Sequence, residues 1–318
     1  MSLSIPQSGF AAIGECMLEL REDATTNESH PEVKLSLGFG GDTLNTAVYL
    51  ARLGVPSTYV TALGDDARSQ WLLDHWVQEE IDTHLVRRVP GRRPGVYWIT
   101  TDAAGERSFD YWRGESPARE LFDDLADVQV LTQNLSAFGM VYLSGITLSL
   151  YSAVALERLY TMLEALRDSG VIIGFDGNFR PAAWTDSESA RAAFERVARL
   201  AHVVLPTFDD ELMLFGDDSP EATIARLREW GVDEVVVKLG GAGCLLGSEG
   251  THKLVATRAV SAPVDTTAAG DSFNAGYLAA RYFGKSLQEA AETGNRLAGS
   301  VVMNRGAIIP LETMPEFT

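Results

Sequence analysis

The sequence predicts an α/β fold: a doubly wound, mostly parallel sheet with helices on both faces, and a small β-sheet lid beside it. Three observations carry this expectation. Apolar strand-like runs alternate with amphipathic helix-like segments over most of the 318 residues, the pattern of a parallel sheet. Two stretches in the first third break that rhythm with strand-like alternation. Glycine clusters stand where strands end and helices begin, the places where such sheets hold ligands.

Residues 10–14 read as a strand, 43–53 as a helix, 58–63 as a strand and 67–80 as a helix. Residues 140–144 form a short apolar run. The next helix shows its period in Leu156, Leu159, Leu163 and Leu166, and Gly170 stops it. Strands follow at 171–176, 203–206 and 234–239, with a helix over 221–230, and the chain closes with helices over 270–283 and 287–303. In residues 17–39, Leu18, Leu20, Val33, Leu35 and Leu37 alternate as in half-exposed strands. In residues 95–112, Val96, Trp98, Phe109 and Trp112 flank a turn at 102–105, a β-hairpin signal. Neither stretch belongs in a doubly wound core. The expected organisation is one α/β domain over 1–318, with a lid inserted from about 17–39 and 95–112. A pair of ordinary surface hairpins is the competing reading.

Composition narrows the partners. Lys and Arg number 26 and Asp and Glu 44, a formal net charge of −18. Such a surface repels polyphosphate and anionic lipid, so neither nucleic acid nor membrane is expected as a partner. No uncharged apolar run reaches the roughly 18 residues of a membrane-spanning helix. The first residues lack a secretion signal, and Cys16 and Cys244 stand far apart as small hydrophobes. A reduced, cytoplasmic protein is expected.

The strongest chemical signal is Asp265-Thr266-Thr267-Ala268-Ala269-Gly270-Asp271-Ser272-Phe273 before a helix. Small residues there let backbone N–H groups converge on an anion, with the helix dipole behind them. Asp271 is placed to take a proton from a substrate hydroxyl, or simply to cap the helix, a role worth about 1 kcal/mol. A second cluster, Gly38-Phe39-Gly40-Gly41-Asp42-Thr43-Leu44-Asn45, also precedes a helix. It lacks the full GxGxxG spacing, which argues against dinucleotide binding. It suits a loop whose backbone approaches a polyhydroxyl ligand while Asp42 and Asn45 bond to it, or a tight turn with capping. A third, Lys238-Leu239-Gly240-Gly241-Ala242-Gly243, follows an apolar strand and is not a P-loop.

Together these residues resemble the ribokinase-like, or PfkB, family of sugar kinases over essentially the full chain. The family's two glycine-rich signatures correspond to residues 38–54 and 265–273, in the right order and with a β-lid between early strands. Gly14-Glu15-Cys16-Met17, Tyr111-Trp112-Arg113 and Arg305-Gly306-Ala307-Ile308-Ile309-Pro310 point further, to the branch acting on a keto-deoxy sugar acid, 2-keto-3-deoxygluconate. The resemblance implies ATP-dependent phosphorylation of its 6-hydroxyl, with ATP and Mg2+ and, as in some members, a monovalent cation such as K+. It implies Asp271 as catalytic base and Ala268, Ala269 and Gly270 as anion hole. Gly40, Gly41, Asp42 and Asn45 match the sugar loop. Asn178, Arg180, Lys238, Gly240, Gly243, Gly270 and Asn295 match the nucleotide side. Asp265 and Thr267 match positions around the monovalent cation.

Two departures stand out. Ala268 replaces a glycine, which costs energy if that position needs positive φ. The family's Asn-x-x-Glu, linked to Mg2+, aligns with Thr207-Phe208-Asp209-Asp210, so Asp210 stands for the Glu and the Asn is lost.

A sugar acid also needs a cation for its carboxylate. Arg113 on the lid hairpin is the first choice and Arg180 the second, each able to make two parallel hydrogen bonds. Tyr97 and Tyr111 share the hairpin and can face one pocket or pack the lid. Arg113 and Arg180 argue against the alternatives of a neutral, fructose-like sugar or a nucleoside as substrate. An intact Asp271 argues against a non-catalytic sugar-binding regulator. Trp98 and Trp112 on the lid suggest a homo-oligomer paired through it.

Overall fold

A computed structural model describes residues 4–22, 34–101, 107–248, 251–258, 260 and 262–317. Its central sheet runs, edge to edge, Thr251–Val255, Cys244–Ser248, Glu234–Lys238, Val203–Val204, Ile172–Asp176, Met140–Ser144, Phe10–Ile13, Ser57–Gly64 and Ile81–Asp82. Val86–Val89 pairs with the far half of Ser57–Gly64. All pairings are parallel except the two made by Cys244–Ser248.

The inner strands Glu234–Lys238, Val203–Val204, Ile172–Asp176, Met140–Ser144, Phe10–Ile13 and Ser57–Gly64 are buried at every position because both faces are covered. In Phe10–Ile13, Phe10 and Ala12 enter one core while Ala11 and Ile13 enter the other. Helices Asp42–Arg52, Ala67–Gln78, Ala269–Tyr282 and Leu287–Val301 close the first core. Helices Leu125–Leu135, Ala153–Asp168, Ser187–Ala198 and Pro220–Glu229 close the second. Leu159, Leu163 and Leu166 are buried, as their spacing predicts, and Leu156 packs partly buried at the margin.

Strand order reverses between Phe10–Ile13 and Met140–Ser144. From the first the chain builds outward to Ser57–Gly64, then returns to the other side and builds the opposite way. The carboxyl ends of the strands at such a reversal splay their following loops apart and leave a crevice. The strands ending at Ile13, Ser144, Asp176 and Lys238 all open onto it.

A second sheet, in the order Leu35–Gly40, Met17–Glu22, Val96–Thr101, Arg107–Trp112, stands apart from the first. The strands expected within 17–39 and 95–112 are all in it, joined by a parallel pairing of Met17–Glu22 with Val96–Thr101. Val33 and the predicted turn at 102–105 lie outside the described residues. The pleat sends Met17, Tyr97, Phe109 and Tyr111 to the face over the crevice. Leu20, Leu37, Trp98 and Trp112 fall on the opposite face by register.

Both cysteines are buried free thiols, and burial raises their pKa. Among the described residues no helix is long and apolar enough to cross a membrane.

Candidate active site

The crevice is a cavity of about 810 Å³. Its walls bring together Gly40, Gly41, Asp42, Asn45, Tyr97, Tyr111, Arg113, Asn178, Arg180, Lys238, Thr267, Ala268, Ala269, Gly270 and Asp271, all predicted from the sequence. Of the predicted residues, Gly240, Gly243, Asn295, Asp210 and Asp265 do not line it. Asn295 turns its amide to the Val255 carbonyl at 3.0 Å, a buried tie from helix to edge strand.

Asp271 lies in the first turn of helix Ala269–Tyr282, but it does not cap that helix. The cap position is Ala268, with no side-chain cap bond. The Asp271 carboxylate instead turns into the cavity, where Oδ2 accepts from Asn45 Nδ2 at 2.9 Å. Thr46 Oγ1 donates to the Asp271 backbone carbonyl at 3.2 Å and so fixes helix Asp42–Arg52 against helix Ala269–Tyr282. Burial, and then the nearby Asp42 charge, raises the Asp271 pKa to about 7, against the pull of the Asn45 amide. Asp42 is raised for the same first reason, burial, although Asn178 Nδ2 donates to its Oδ2 at 2.9 Å. Buried acids this close share their protons, so they titrate as a group.

Ala268 has φ 59° and ψ 16°, the left-handed region. The turn therefore demands what a glycine gives freely, and an L-residue there costs about 1 kcal/mol. The N–H groups that open a helix lack intrahelical acceptors, but Ala269 N–H is already committed to the Thr266 carbonyl at 3.2 Å. A Cβ on Gly270 would lie 3.5 Å from Lys238 Nζ, so an ammonium stands beside this first turn.

Lys238 is buried at the end of its strand. Nζ donates to Asp176 Oδ2 at 2.9 Å and to Asn274 Oδ1 at 3.1 Å. Asn274 Nδ2 completes the knot by donating to Asp176 Oδ2 at 2.7 Å and to the Tyr142 hydroxyl at 2.9 Å. Asp176 and Asn274 escaped sequence reasoning. The available signals were an acid ending the apolar run Ile172–Asp176 and an amide one turn after Asp271.

The paired glycines line the cavity and also allow close approaches within the protein. A Cβ on Gly41 would collide with the Glu15 carbonyl oxygen, and one on Gly40 with the Tyr97 hydroxyl. The close approach is to the protein's own backbone and side chain, and it lets Met17–Glu22 and Leu35–Gly40 pair beside the cavity. The Tyr97 hydroxyl donates to Glu19 Oε2 at 2.6 Å, so it is engaged within the small sheet, while Tyr111 is more than half exposed at the cavity rim.

The two predicted carboxylate readers are already paired. Arg113 contacts the buried Glu15 carboxylate through Nη2, and is neither a solvated charge nor a free one. Arg180 is exposed, donates to the Phe179 carbonyl at 2.8 Å and faces Asp210 at 3.6 Å. The other lining cation, Arg119, was missed because nothing in its sequence surroundings marks it.

Among the described residues no group of three acidic, His or Cys side chains could hold a metal ion. Mg2+ usually arrives on nucleotide phosphates with its own waters, and the donors present fit that arrangement. Asp176 Oδ1 is a buried lining oxygen with no hydrogen-bond partner, and Asp210 stands near it, with its pKa raised by burial and by the Asp176 charge. Asp265 Oδ1 accepts Thr267 N–H at 2.9 Å and Oδ2 accepts Gly306 N–H at 2.7 Å, so this carboxylate ties two loops together.

Residues 8–314 match the pfkB family carbohydrate kinase model. The chain is 42% identical over 314 residues to a protein of Dickeya dadantii (strain 3937) named 2-dehydro-3-deoxygluconokinase, covering 96% of this chain and 98% of that one. It is 44% identical, with the same coverage, to the protein of that name in Escherichia coli (strain K12). Among solved structures it is similar to a ribokinase II of E. coli in complex with ATP and Mg2+. That match has a TM-score of 0.82 and 24% identity, over 98% of this chain and 96% of that one. With a family match over nearly its whole length, the chain belongs to the pfkB family of carbohydrate kinases.

Proposed function

We propose that this enzyme transfers the γ-phosphoryl group of ATP to the 6-hydroxyl of 2-keto-3-deoxygluconate, also called 2-dehydro-3-deoxygluconate. The observation that carries the reading is the buried Asp271 carboxylate beside the open first turn of helix Ala269–Tyr282, in a chain 42–44% identical to kinases of that name. The substrate oxygen attacks the γ-phosphorus, its proton passes to Asp271, and the bond from the γ-phosphorus to the bridging oxygen breaks to release ADP. Gly270 N–H and Lys238 face the charge that develops on the transferring group. Asp176 and Asp210 would hold the Mg2+ that accompanies the nucleotide, and the ion would supply charge neutralisation of the phosphates.

The sugar rests between the loop of Gly40 to Asn45 and the small sheet, which serves as a lid inserted into a single α/β domain. Its cavity face is apolar and aromatic, suited to excluding water from the transfer. The opposite face exposes Leu35, Leu37 and Trp112, and we place the contact of a homo-oligomer there. Sedimentation should show a dimer or larger, and Trp112→Glu should shift it to monomer. A wild type that stays monomeric at tens of micromolar contradicts this pairing. An ATP-rich, reducing cytoplasm suits two buried thiols.

A neutral sugar as substrate is the competing reading. ADP release measured across a panel of sugar acids and neutral sugars decides between them. The expected result is a preference for the keto-deoxy acid; equal use of fructose contradicts it.

A further inference from the structure

Four basic residues line the cavity: Arg113, Arg119, Arg180 and Lys238. Three are committed within the protein. Arg113 contacts Glu15, Lys238 bonds Asp176 and Asn274, and Arg180 faces Asp210. Among the described residues, the Arg119 guanidinium has neither an acidic partner nor a hydrogen bond, and only its backbone N–H is engaged, with the Ser116 carbonyl. In a chain of net charge −18, an unpaired guanidinium turned into a cavity wall needs an explanation.

Its setting gives one. Arg119 sits in the short turn Pro117–Glu120, whose Ala118 is buried and which is followed by the buried Leu121 and Phe122. That turn packs against the central strand Ser57–Gly64, so Arg119 belongs to the rigid body and not to the small sheet. Three buried oxygens without a hydrogen-bond partner lie nearby. Two are the Glu15 carboxylate oxygens on the same wall, of which Oε2 faces Arg113 and Oε1 is open. The third is the Tyr151 hydroxyl, which feels the charges of both Glu15 and Arg119. Glu15, Arg113 and Arg119 together leave one positive charge in excess. Buried polar atoms left open are costly unless a ligand completes them.

We infer that Arg119 is a specificity-determining residue that binds the carboxylate of the sugar acid, with Arg113 held beside it by Glu15. The unbound Glu15 oxygen then accepts from a neighbouring substrate hydroxyl. This rests on the proposed sugar-acid activity and adds which cation reads the acid. A planar guanidinium on a fixed turn can meet a carboxylate with two parallel hydrogen bonds, and a fixed turn positions it better than a mobile strand does.

The test compares kcat/KM for 2-keto-3-deoxygluconate and for 3-deoxyfructose, in which a hydroxymethyl group replaces the carboxylate. Wild type, Arg119→Ala and Arg119→Lys are measured, with unfolding midpoints to confirm folding. The ratio of acid to neutral should fall at least about 30-fold in Arg119→Ala, chiefly through KM for the acid. Arg119→Lys should recover part of it, since an ammonium keeps the charge without the paired geometry. Equal losses on both substrates would overturn the inference, because they mean that Arg119 only shapes the turn. An unchanged ratio overturns it as well. A wild type that shows no preference for the acid contradicts the proposed function itself, and with it the role of Arg119.

Discussion

Asp271→Asn is expected to keep the fold and lose turnover by about 10²–10⁴. The substitution is nearly isosteric, and the helix cap does not depend on this side chain, since position 268 supplies the cap. What disappears is the proton acceptor. The wild-type enzyme should show the same group in its pH profile. A base must be ionised, so kcat/KM should rise with pH through an apparent pKa near 7, the value to which burial and Asp42 lift Asp271. Asp42→Asn removes the second of those causes and should move this limb to lower pH. Stability runs the opposite way. The folded pKa lies above the roughly 3.9 of an unfolded Asp, so the folded state holds more protons between about pH 4 and 7. The contribution of this group is full below that window and is lost as pH rises through it. Asp271→Asn should flatten that slope in urea titrations at several pH values. A variant with near-normal turnover, or a pH limb that survives in it, removes Asp271 as the base.

Lys238→Met should be among the most destabilising single changes in the chain, by about 3–5 kcal/mol. Its ammonium and the Asp176 carboxylate are both almost fully buried, 2.9 Å apart. Deleting the cation leaves a carboxylate whose one remaining hydrogen-bond donor among the described residues is Asn274, and a buried unpaired charge costs far more than the net gain of the pair. The double variant Lys238→Met with Asp176→Asn removes both charges and should recover most of the loss. Urea unfolding at pH 7 measures both. A single variant within about 1 kcal/mol of wild type shows that the pair is not the closed unit described here. Activity should fall in both variants, because the ammonium also stands beside Gly270.

The parallel core was legible because its strands are covered on both faces and so read as short apolar runs, as in residues 172–175 and 235–237. Four helices were not, among them the single turn Gly145–Leu148, too short to show a period. Ser187–Ala198 buries Ala190, Ala193, Phe194 and Val197, and alanines blur the apolar stripe. Leu125–Leu135 buries Val128 and Leu135 while Leu125 and Val130 stay exposed, which hides the period. Phe208–Phe215 carries three acids in its first turn and reads as loop. The antiparallel edge Cys244–Ser248 and Thr251–Val255 was missed because its strands hold Gly247, Ser248, Thr251, His252 and Lys253 among few apolar residues.

At the candidate site, residue types were readable and pairings were not. Asp271 and Asn45 lie 226 positions apart and meet at 2.9 Å. Nothing local marks Glu15 as the partner of Arg113, which alone changes Arg113 from a free cation to a committed one. The left-handed turn at Ala268 was foreseen as a cost, because the surrounding motif places a glycine there. Arg119 could not be foreseen. Its meaning comes only from which other cations are already engaged.

The most direct measurement is phosphorus–proton correlation NMR on the product formed from ATP and 2-keto-3-deoxygluconate. The account predicts one new phosphomonoester, coupled to the two protons on C6, formed with one ADP per product. ATP hydrolysis to inorganic phosphate without a sugar phosphate, or phosphorus on any other oxygen of the sugar, would contradict it.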